Sequence, residues 1–191
     1  DSSQVFAPHG YDLIVDTGHD DLYDPGRVEL IFQRHRQTGD FLEVPTLIGE
    51  WGAYEGRPGN EEAIRQMIGI LERNLWSHTY WAWRPDIEAA PEWRELIRAY
   101  PVATAGTLLT YHWEGDCITL EYDGTAGCTE VFVPNLGQGN WGVRWLQGDV
   151  RLQEHVWQDT KHGVLRIQSD RAQHVRLCFG RILGAAHGPL D

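Results

Sequence analysis

The sequence predicts an α/β region followed by an all-β region. Residues 1–99 alternate short apolar strands with amphipathic helices, which is the pattern of parallel strands joined by helical crossovers. From residue 102 onward, short segments alternate apolar and polar residues and are separated by turn sequences such as DGTAG and LGQGN. We therefore predict an α/β domain over residues 1–99 and a β domain over residues 102–184.

The first βα unit has a predicted strand over residues 4–8, followed by the sequence HGYD at residues 9–12. Asp24 and Pro25 predict a helix start, because an N-cap carboxylate accepts hydrogen bonds from free backbone N–H groups and proline fits the first helical position. The predicted apolar face of this helix consists of Val28, Ile31, Phe32 and His35.

The second unit has a predicted strand over residues 44–49, with Glu50 directly after it, between Gly49 and Gly52. Glycines beside an acid let the backbone bend and leave room next to the carboxylate, which makes Glu50 a candidate functional residue. Asn60 begins the next helix, whose acidic first turn suits the helix dipole. The apolar stripe of this helix consists of Ile64, Met67, Ile68, Leu71 and Leu75.

The third unit has a predicted strand over residues 78–83 and a short helix over residues 91–100. The carboxyl ends of parallel strands meet at one edge of the sheet, where the active sites of such folds lie. The candidates at or near those ends are His9, Tyr11, Glu50, Trp81 and Trp83. In the first strand and in the third, the two candidates are two residues apart, so we expect them to share one face.

The β domain has seven predicted strands, which indicate a small antiparallel β-sandwich. They cover residues 107–113, 116–122, 129–133, 141–146, 150–157, 163–168 and 173–179. Trp141 and Trp145 are candidates for sugar binding there, but packing is the expected role of this domain.

The length of the α/β region indicates part of a larger barrel. A (β/α)8 barrel of about 250 residues uses about 31 residues for each unit, and residues 1–99 hold three units. Three parallel strands cannot close a barrel. We therefore predict a fragment with the last three units of a TIM-type (β/α)8 barrel and the domain that follows them; the alternative is a small free-standing α/β layer.

Composition argues against several classes of function. The net charge of −12 argues against nucleic-acid binding, which needs a basic surface. No apolar run reaches the about 20 residues of a membrane span, and no signal peptide is recognisable. Cys117, Cys128 and Cys178 have no CxxC spacing, so we expect no metal site. We expect free buried thiols, with a Cys117–Cys128 disulfide as the alternative.

Three motifs, APHGYD, LIGEWG and YWAWRPD, resemble in this order the C-terminal part of the retaining β-glycosidases of glycoside hydrolase family 5. In that family a His-x-Tyr pair ends the sixth barrel strand, the nucleophilic glutamate ends the seventh, and a tryptophan ends the eighth. The sequence after Tyr100 is similar to the β-sandwich that follows the barrel in endoglycoceramidase-like members. The resemblance spans almost the whole chain and implies barrel strands 6–8 plus the trailing sandwich.

The resemblance implies a role for each motif residue. Glu50 would be the nucleophile that attacks the anomeric carbon, Tyr11 would donate its hydroxyl to Glu50, and His9 would bind a sugar hydroxyl or orient the carboxylates. The acid/base glutamate of the family belongs to an NEP-type motif after the fourth strand, which this sequence lacks, and Asn60-Glu61 stands at the wrong place in the order. The resemblance therefore implies that the acid/base lies in a missing N-terminal barrel segment, that the isolated fragment is inactive, and that no cofactor is needed.

Aromatic and acidic residues complete the expected site. Trp81 is expected under the sugar next to the scissile bond, because the C–H face of a pyranose packs on an indole ring. Trp83 and Trp51 are expected to line the same site, with core or rim packing as the alternative. The residues expected to contact a distal sugar or the aglycone are Asp12, Asp16, His19 and Asp20. The last three also resemble metal ligands, but we expect a polar loop there.

The leading hypothesis is a retaining glycoside hydrolase that acts on the glycan–lipid linkage of glycolipids or on a β-glucoside, similar to endoglycoceramidases or glucosylceramidases. The alternatives are a cellulase-type β-glucanase of the same family and a non-catalytic carbohydrate-binding module. The resemblance favours a secreted or extracytoplasmic location, which the sequence itself does not show.

Overall fold

The computed structural model describes residues 4–15, 17, 23–52, 60–158 and 160–182. The chain divides into two compact units, unit 1 (Asp1–Ile97) and unit 2 (Arg98–Asp191). Unit 1 contains helices and a parallel sheet, whereas the described part of unit 2 contains strands and their connections. No helix among the described residues has both the length and the apolar character needed to cross a membrane.

Unit 1 has a three-stranded sheet, formed by β1 (His9–Gly10), β2 (Leu47–Gly52) and β3 (Ser77–Trp81). The strands lie in the order β1-β2-β3 and are parallel, as predicted. Residues 4–8 do not form the predicted continuous strand, since Phe6 makes only an isolated parallel bridge with Thr46. Pro8 has no N–H group to donate, which interrupts the ladder before β1.

Strands β2 and β3 end at residues other than those predicted. β2 continues through Glu50 to Gly52, so the carboxylate lies inside the strand and not after it. β3 begins at Ser77 and ends at Trp81. Trp83 lies beyond the end of β3, so strand alternation does not place it on the face of Trp81 as predicted.

The α-helices of unit 1 are α1 (Pro25–Leu42), α2 (Asn60–Arg73) and α3 (Trp93–Leu96). The predicted start of α1 is confirmed, because the Asp24 side chain accepts hydrogen bonds from the N–H groups of Gly26 and Arg27. Val28 and Phe32, on the predicted face of α1, are buried.

The other two helices differ from the prediction at their C-terminal ends. α2 begins at Asn60 as predicted but ends at Arg73, so Leu75 lies beyond it with a left-handed φ of 54°. The helix predicted over residues 91–100 is reduced to the single turn of α3, because Tyr100 begins a strand.

The sheet and helices of unit 1 share one apolar core. Its buried members are Val28, Phe32, Ile48, Trp51, Ala63, Ile64, Met67, Ile68, Ile70 and Leu71. Helix α1 approaches β1 closely at Gly10, where a Cβ atom would lie 2.4 Å from Cζ of Phe32. The end of β1 is therefore packed directly on α1.

The described residues of unit 2 form eight strands: β4 (Tyr100–Ala103), β5 (Gly106–Glu114), β6 (Cys117–Gly124), β7 (Gly127–Val133), β8 (Trp141–Gln147), β9 (Arg151–Val156), β10 (Gly163–Ser169) and β11 (Gln173–Arg181). They form two four-stranded antiparallel sheets, in the orders β4-β7-β10-β9 and β5-β6-β11-β8. The seven predicted strands are all present. The eighth, β4, occupies a segment whose first residue was assigned to a helix.

One buried cluster contains inward-facing residues of both sheets. Val131 of β7 and Leu165 of β10 belong to the same cluster as Leu120 of β6 and Leu177 of β11. The two sheets therefore share a single core, which is how stacked sheets stabilise each other.

The cysteines differ from the prediction. Cys117 and Cys178 form a disulfide, and Cys128 is free and exposed. The expectation of buried free thiols is therefore wrong, and so is the alternative Cys117–Cys128 bridge. The reason is the strand order, because β6 and β11 are neighbours whereas Cys128 lies on β7 of the other sheet.

Candidate active site

Two side chains approach the same carboxylate oxygen of Glu50 on the parallel sheet. Tyr11 Oη donates a hydrogen bond of 2.9 Å to Oε2 of Glu50. Nδ1 of His9 lies 3.4 Å from the same oxygen, and the Glu50 side chain is 35% exposed. The structure thus contains the predicted Tyr11–Glu50 hydrogen bond on a carboxylate that a ligand can reach.

The register of β1 and β2 brings these residues together. His9 is paired with Glu50 in the parallel ladder, and Tyr11 follows β1 directly. The rings of His9 and Tyr11 pack edge to face, with 6.2 Å between their centroids. Their spacing of two residues places both on the side of Glu50, as expected for extended backbone.

The two glycines near Glu50 differ in what the structure requires of them. A Cβ atom at Gly49 would lie 3.4 Å from Cδ2 of His9, which is ordinary van der Waals contact. A Cβ atom at Gly52 would lie 2.4 Å from the Tyr80 ring, and Gly52 has a φ of +110°, which disfavours other residues. Close packing and backbone conformation therefore require glycine at position 52 but not at position 49.

Trp81 and Trp83 are both exposed indoles of unit 1. Trp81 is 54% exposed and is the last residue of β3, where it is paired with Gly52 of β2. Trp83 is 76% exposed. Strand pairing therefore places Trp81 at the end of the strand next to the one that carries Glu50.

Trp51 does not lie in the site where we predicted it. It is 1% exposed and belongs to the core of unit 1. Its Nε1 atom donates a hydrogen bond of 3.1 Å to Nδ1 of His78, and its ring packs against Tyr80. The sugar-binding prediction for Trp51 is wrong because adjacent residues of a strand point to opposite faces of the sheet. Glu50 lies on the accessible face of β2, so Trp51 points into the core.

Asp12 is also buried and does not face a ligand. Arg27 donates to both carboxylate oxygens through Nε and Nη2, and the N–H of Asp24 lies 3.3 Å from Oδ2. Burial alone would raise the pKa of Asp12, but the hydrogen bonds from Arg27 and Asp24 outweigh it and lower the pKa. The predicted contact of Asp12 with substrate is therefore wrong, since Arg27 occupies the carboxylate.

The loop after Asp12 is only partly described. Asp16, His19 and Asp20, the other residues expected to contact substrate, lie outside the described residues. Within the described part of the chain, no group of three or more acidic, histidine or cysteine side chains is arranged to hold a metal ion.

Sequence analysis missed two residues of α1 that hold this segment. Arg27 binds Asp12, and Nε2 of His35 lies 3.0 Å from the carbonyl oxygen of His9. A carbonyl only accepts, so Nε2 carries a proton. Burial lowers the pKa of His35, although the hydrogen bond to His9 partly offsets this. The signal in the sequence was a histidine on an otherwise apolar helix face.

A second ion pair follows Trp83 and was also missed. Arg84 donates to Oε1 of the fully buried Glu92 at 2.9 Å and lies 3.1 Å from Oδ1 of Asp86. Burial of an acid requires such a partner. The ion pair therefore joins the residue after Trp83 to the residue that precedes α3.

Neither a protein-family model nor a curated protein matches this chain. Solved structures do match it. One is endoglycoceramidase II from Rhodococcus sp. in complex with a five-membered iminocyclitol, with a TM-score of 0.71 and 20% identity over 94% of this chain and 43% of that chain. Another is sterylglucosidase 1 from Cryptococcus neoformans, with a TM-score of 0.65 and 13% identity over 93% of this chain and 37% of that chain.

An endogalactoceramidase also matches, with a TM-score of 0.62 and 16% identity over 93% of this chain and 42% of that chain. At these identities the similarity shows the fold alone, and the fold is that of a part of these glycosidases. The chain spans less than half the length of each of these matched structures.

Proposed function

We propose that this chain is the C-terminal part of a retaining β-glycosidase of glycoside hydrolase family 5, and that it contributes the nucleophile Glu50. The observation that carries the proposal is the meeting of Tyr11 and His9 at one oxygen of a partly exposed carboxylate. This arrangement lies on a parallel sheet in a chain with the fold of part of known glycosidases. In the intact protein this sheet belongs to a (β/α)8 barrel, and unit 2 is the trailing β-sandwich.

The two oxygens of Glu50 have different tasks in this proposal. Tyr11 and His9 both contact Oε2, so Oε1 is the oxygen that attacks the anomeric carbon. The attack forms a covalent glycosyl–enzyme ester as the aglycone oxygen leaves with a proton from the acid/base. Water, deprotonated by the same acid/base, then releases the sugar with retention. That acid/base belongs to a barrel segment outside this chain, so the isolated chain is inactive.

The exposed indoles support a sugar substrate. Trp81 provides an apolar floor for the pyranose bonded to Glu50, and Trp83 provides further contact area at the rim. The matched structures point to a sugar–lipid linkage, since they include Rhodococcus endoglycoceramidase II in complex with ganglioside GM3 and a sterylglucosidase. The Cys117–Cys178 disulfide favours a secreted or extracytoplasmic location, because disulfides persist in oxidising compartments.

A non-catalytic carbohydrate-binding role is the second candidate. It is favoured by the same two exposed indoles, which bind sugar without the need for an acid/base. The two candidates differ in whether Glu50 forms a covalent bond.

The test is covalent trapping in the full-length protein that contains this chain. We expect a 2-deoxy-2-fluoro-β-glucoside with a good leaving group to add the mass of one fluorosugar to the peptide that contains Glu50. The variant Glu50→Gln should remain unlabelled, while Glu29→Gln, which removes an exposed partner of Arg73, should be labelled like the parent. Label on another residue, or binding of the glycoside without any label, would reject the assignment.

A further inference from the structure

We infer that Asp12 and Arg27 form a positioning pair that holds the Tyr11 hydroxyl on Oε2 of Glu50. Neither residue touches the carboxylate of Glu50, so their effect passes through the backbone of residues 10–12. The contact itself is a property of this chain, whereas its consequence for catalysis rests on the proposed function.

The first observation is the geometry and burial of the pair. The Asp12 side chain is fully buried, and Arg27 donates to both of its oxygens. A two-point contact between a guanidinium and a carboxylate fixes orientation as well as distance. Asp12 also accepts from the N–H of Asp24, the N-cap residue of α1. The residue directly after Tyr11 is therefore attached to the first turn of α1.

The second observation is that the residues before Tyr11 are attached to the same helix. Gly10 packs against the Phe32 ring, and the carbonyl oxygen of His9 accepts from His35. The backbone on both sides of Tyr11 is thus fixed to α1. The phenol of Tyr11 is therefore held in one orientation towards Glu50. Residues that support an active site act in this way, because they fix the side chains that do the chemistry.

Asp12 and Arg27 are placed to support the segment and not to contact a ligand. Asp12 is closed to solvent, so it cannot bind substrate, and two donors already satisfy it. Buried ion pairs contribute little net stability compared with apolar replacements, but they fix geometry where register matters. Loss of one partner leaves a buried charge unpaired and lets the segment move.

The first arm of the test needs no catalysis. The full-length protein that contains this chain is labelled with 3-fluorotyrosine, and the Tyr11 fluorine signal is identified by its absence in Tyr11→Phe. We expect Glu50→Gln and Asp12→Asn each to shift this signal, because each changes the hydrogen bond at the hydroxyl. The matched control is Glu95→Gln, which breaks a two-point contact with Arg65 that joins α2 to α3, and it should leave the signal in place.

The second arm is a double-mutant cycle in the full-length glycosidase. A displacement of about 1 Å at a reacting group can lower the rate by about 100-fold. We therefore expect Asp12→Asn to lower kcat by up to about 100-fold, with little change in KM. In the Tyr11→Phe background the same change should have little further effect, because there is no hydroxyl left to position. Effects that simply multiply would overturn the proposal.

The two arms separate failure of the inference from failure of the proposed function. If Glu50→Gln shifts the Tyr11 fluorine signal but Asp12→Asn leaves it unchanged, the positioning role is overturned, whatever the hydrolase activity. A fluorine shift in a full-length protein with no hydrolase activity supports the positioning contact and rejects the glycosidase proposal. If Asp12→Asn prevents folding, Arg27→Lys retains the charge without the fork, and the same shift and the same coupling are expected from it.

Discussion

The two units of the chain differ in how completely they bury their apolar side chains. Unit 2 buries one core between two sheets, and a disulfide joins two neighbouring strands. Unit 1 has a three-stranded sheet, and Phe41 is 84% and Leu13 76% exposed, whereas the exposed large apolar side chains described in unit 2 are at most 53% exposed. Strongly exposed apolar side chains and unpaired sheet edges are both surfaces that other structure normally covers. We infer that the unit with the candidate site depends on further contacts for its stability, whereas unit 2 is self-sufficient.

The largest effect that tests this comparison is an all-or-none difference in folding. Residues 98–191 expressed alone should unfold in one cooperative thermal transition, because their core is complete. Residues 1–97 expressed alone should bind a hydrophobic dye and self-associate, because their apolar surface stays open. Dye fluorescence and analytical ultracentrifugation measure both. A monomeric, dye-free residue 1–97 fragment would show that unit 1 is complete by itself and would remove an argument for a larger barrel.

The next effect concerns the site alone. In the full-length protein, Glu50→Gln should lower turnover by about 10⁴-fold or more, as expected for loss of a nucleophile. Its melting temperature should change little, because the side chain is partly exposed and an amide still accepts from Tyr11. Steady-state kinetics and calorimetry measure the two quantities. A large fall in melting temperature with retained turnover would make Glu50 a structural residue of unit 1.

Much of the fold could be predicted from local patterns. The capping pair Asp24-Pro25 defined the start of α1, and period-two alternation identified seven strands of unit 2. The errors lie where tertiary contacts override local preference. Tyr100 ends a plausible helical sequence, yet in the structure it begins β4 and pairs with Phe132 on β7, a contact that the local pattern does not encode.

The candidate site, like the fold, could be predicted only where local strand geometry determines it. Motif order and two-residue spacing brought His9, Tyr11 and Glu50 together, because strand geometry is local. Asp12 and Trp51 were misassigned because sequence does not show which polar or aromatic side chain has a buried partner. Arg27 lies 15 residues after Asp12, and only the packing of α1 brings the two together.

A smaller effect should appear in unit 2 and leave the site untouched. Leu120→Ala removes a fully buried side chain from the shared core and should lower the unfolding free energy of unit 2 by about 2–5 kcal/mol. The Tyr11–Glu50 hydrogen bond should persist, since both residues belong to unit 1. Denaturant titration of residues 98–191 measures the loss. A change below that range would mean that the two sheets repack easily and do not share a tight core.

The disulfide should contribute a comparable or slightly smaller amount. Replacing Cys117 and Cys178 together with serine should lower the unfolding free energy of unit 2 by about 2–4 kcal/mol, because the bridge limits the unfolded chain. Cys128→Ser is the matched control and should leave stability unchanged, since Cys128 is exposed and free. Denaturant titration with and without reductant gives both values. Equal stability of the parent with and without reductant would contradict the structural role of the bridge.

The smallest effect is a pH dependence confined to unit 1. Burial lowers the pKa of His35 from its ordinary 6.5, so the unfolded chain binds this proton more readily than the folded chain. The stability that neutral His35 provides is complete above pH 6.5 and is lost as the pH falls through the lowered pKa of the folded state. Thermal unfolding of the full-length protein between about pH 7.5 and 5 should therefore show a decrease that His35→Gln reduces. A decrease of the same size in the variant would assign the acid sensitivity to other groups, and the contact between His35 and the His9 carbonyl would then have no part in it.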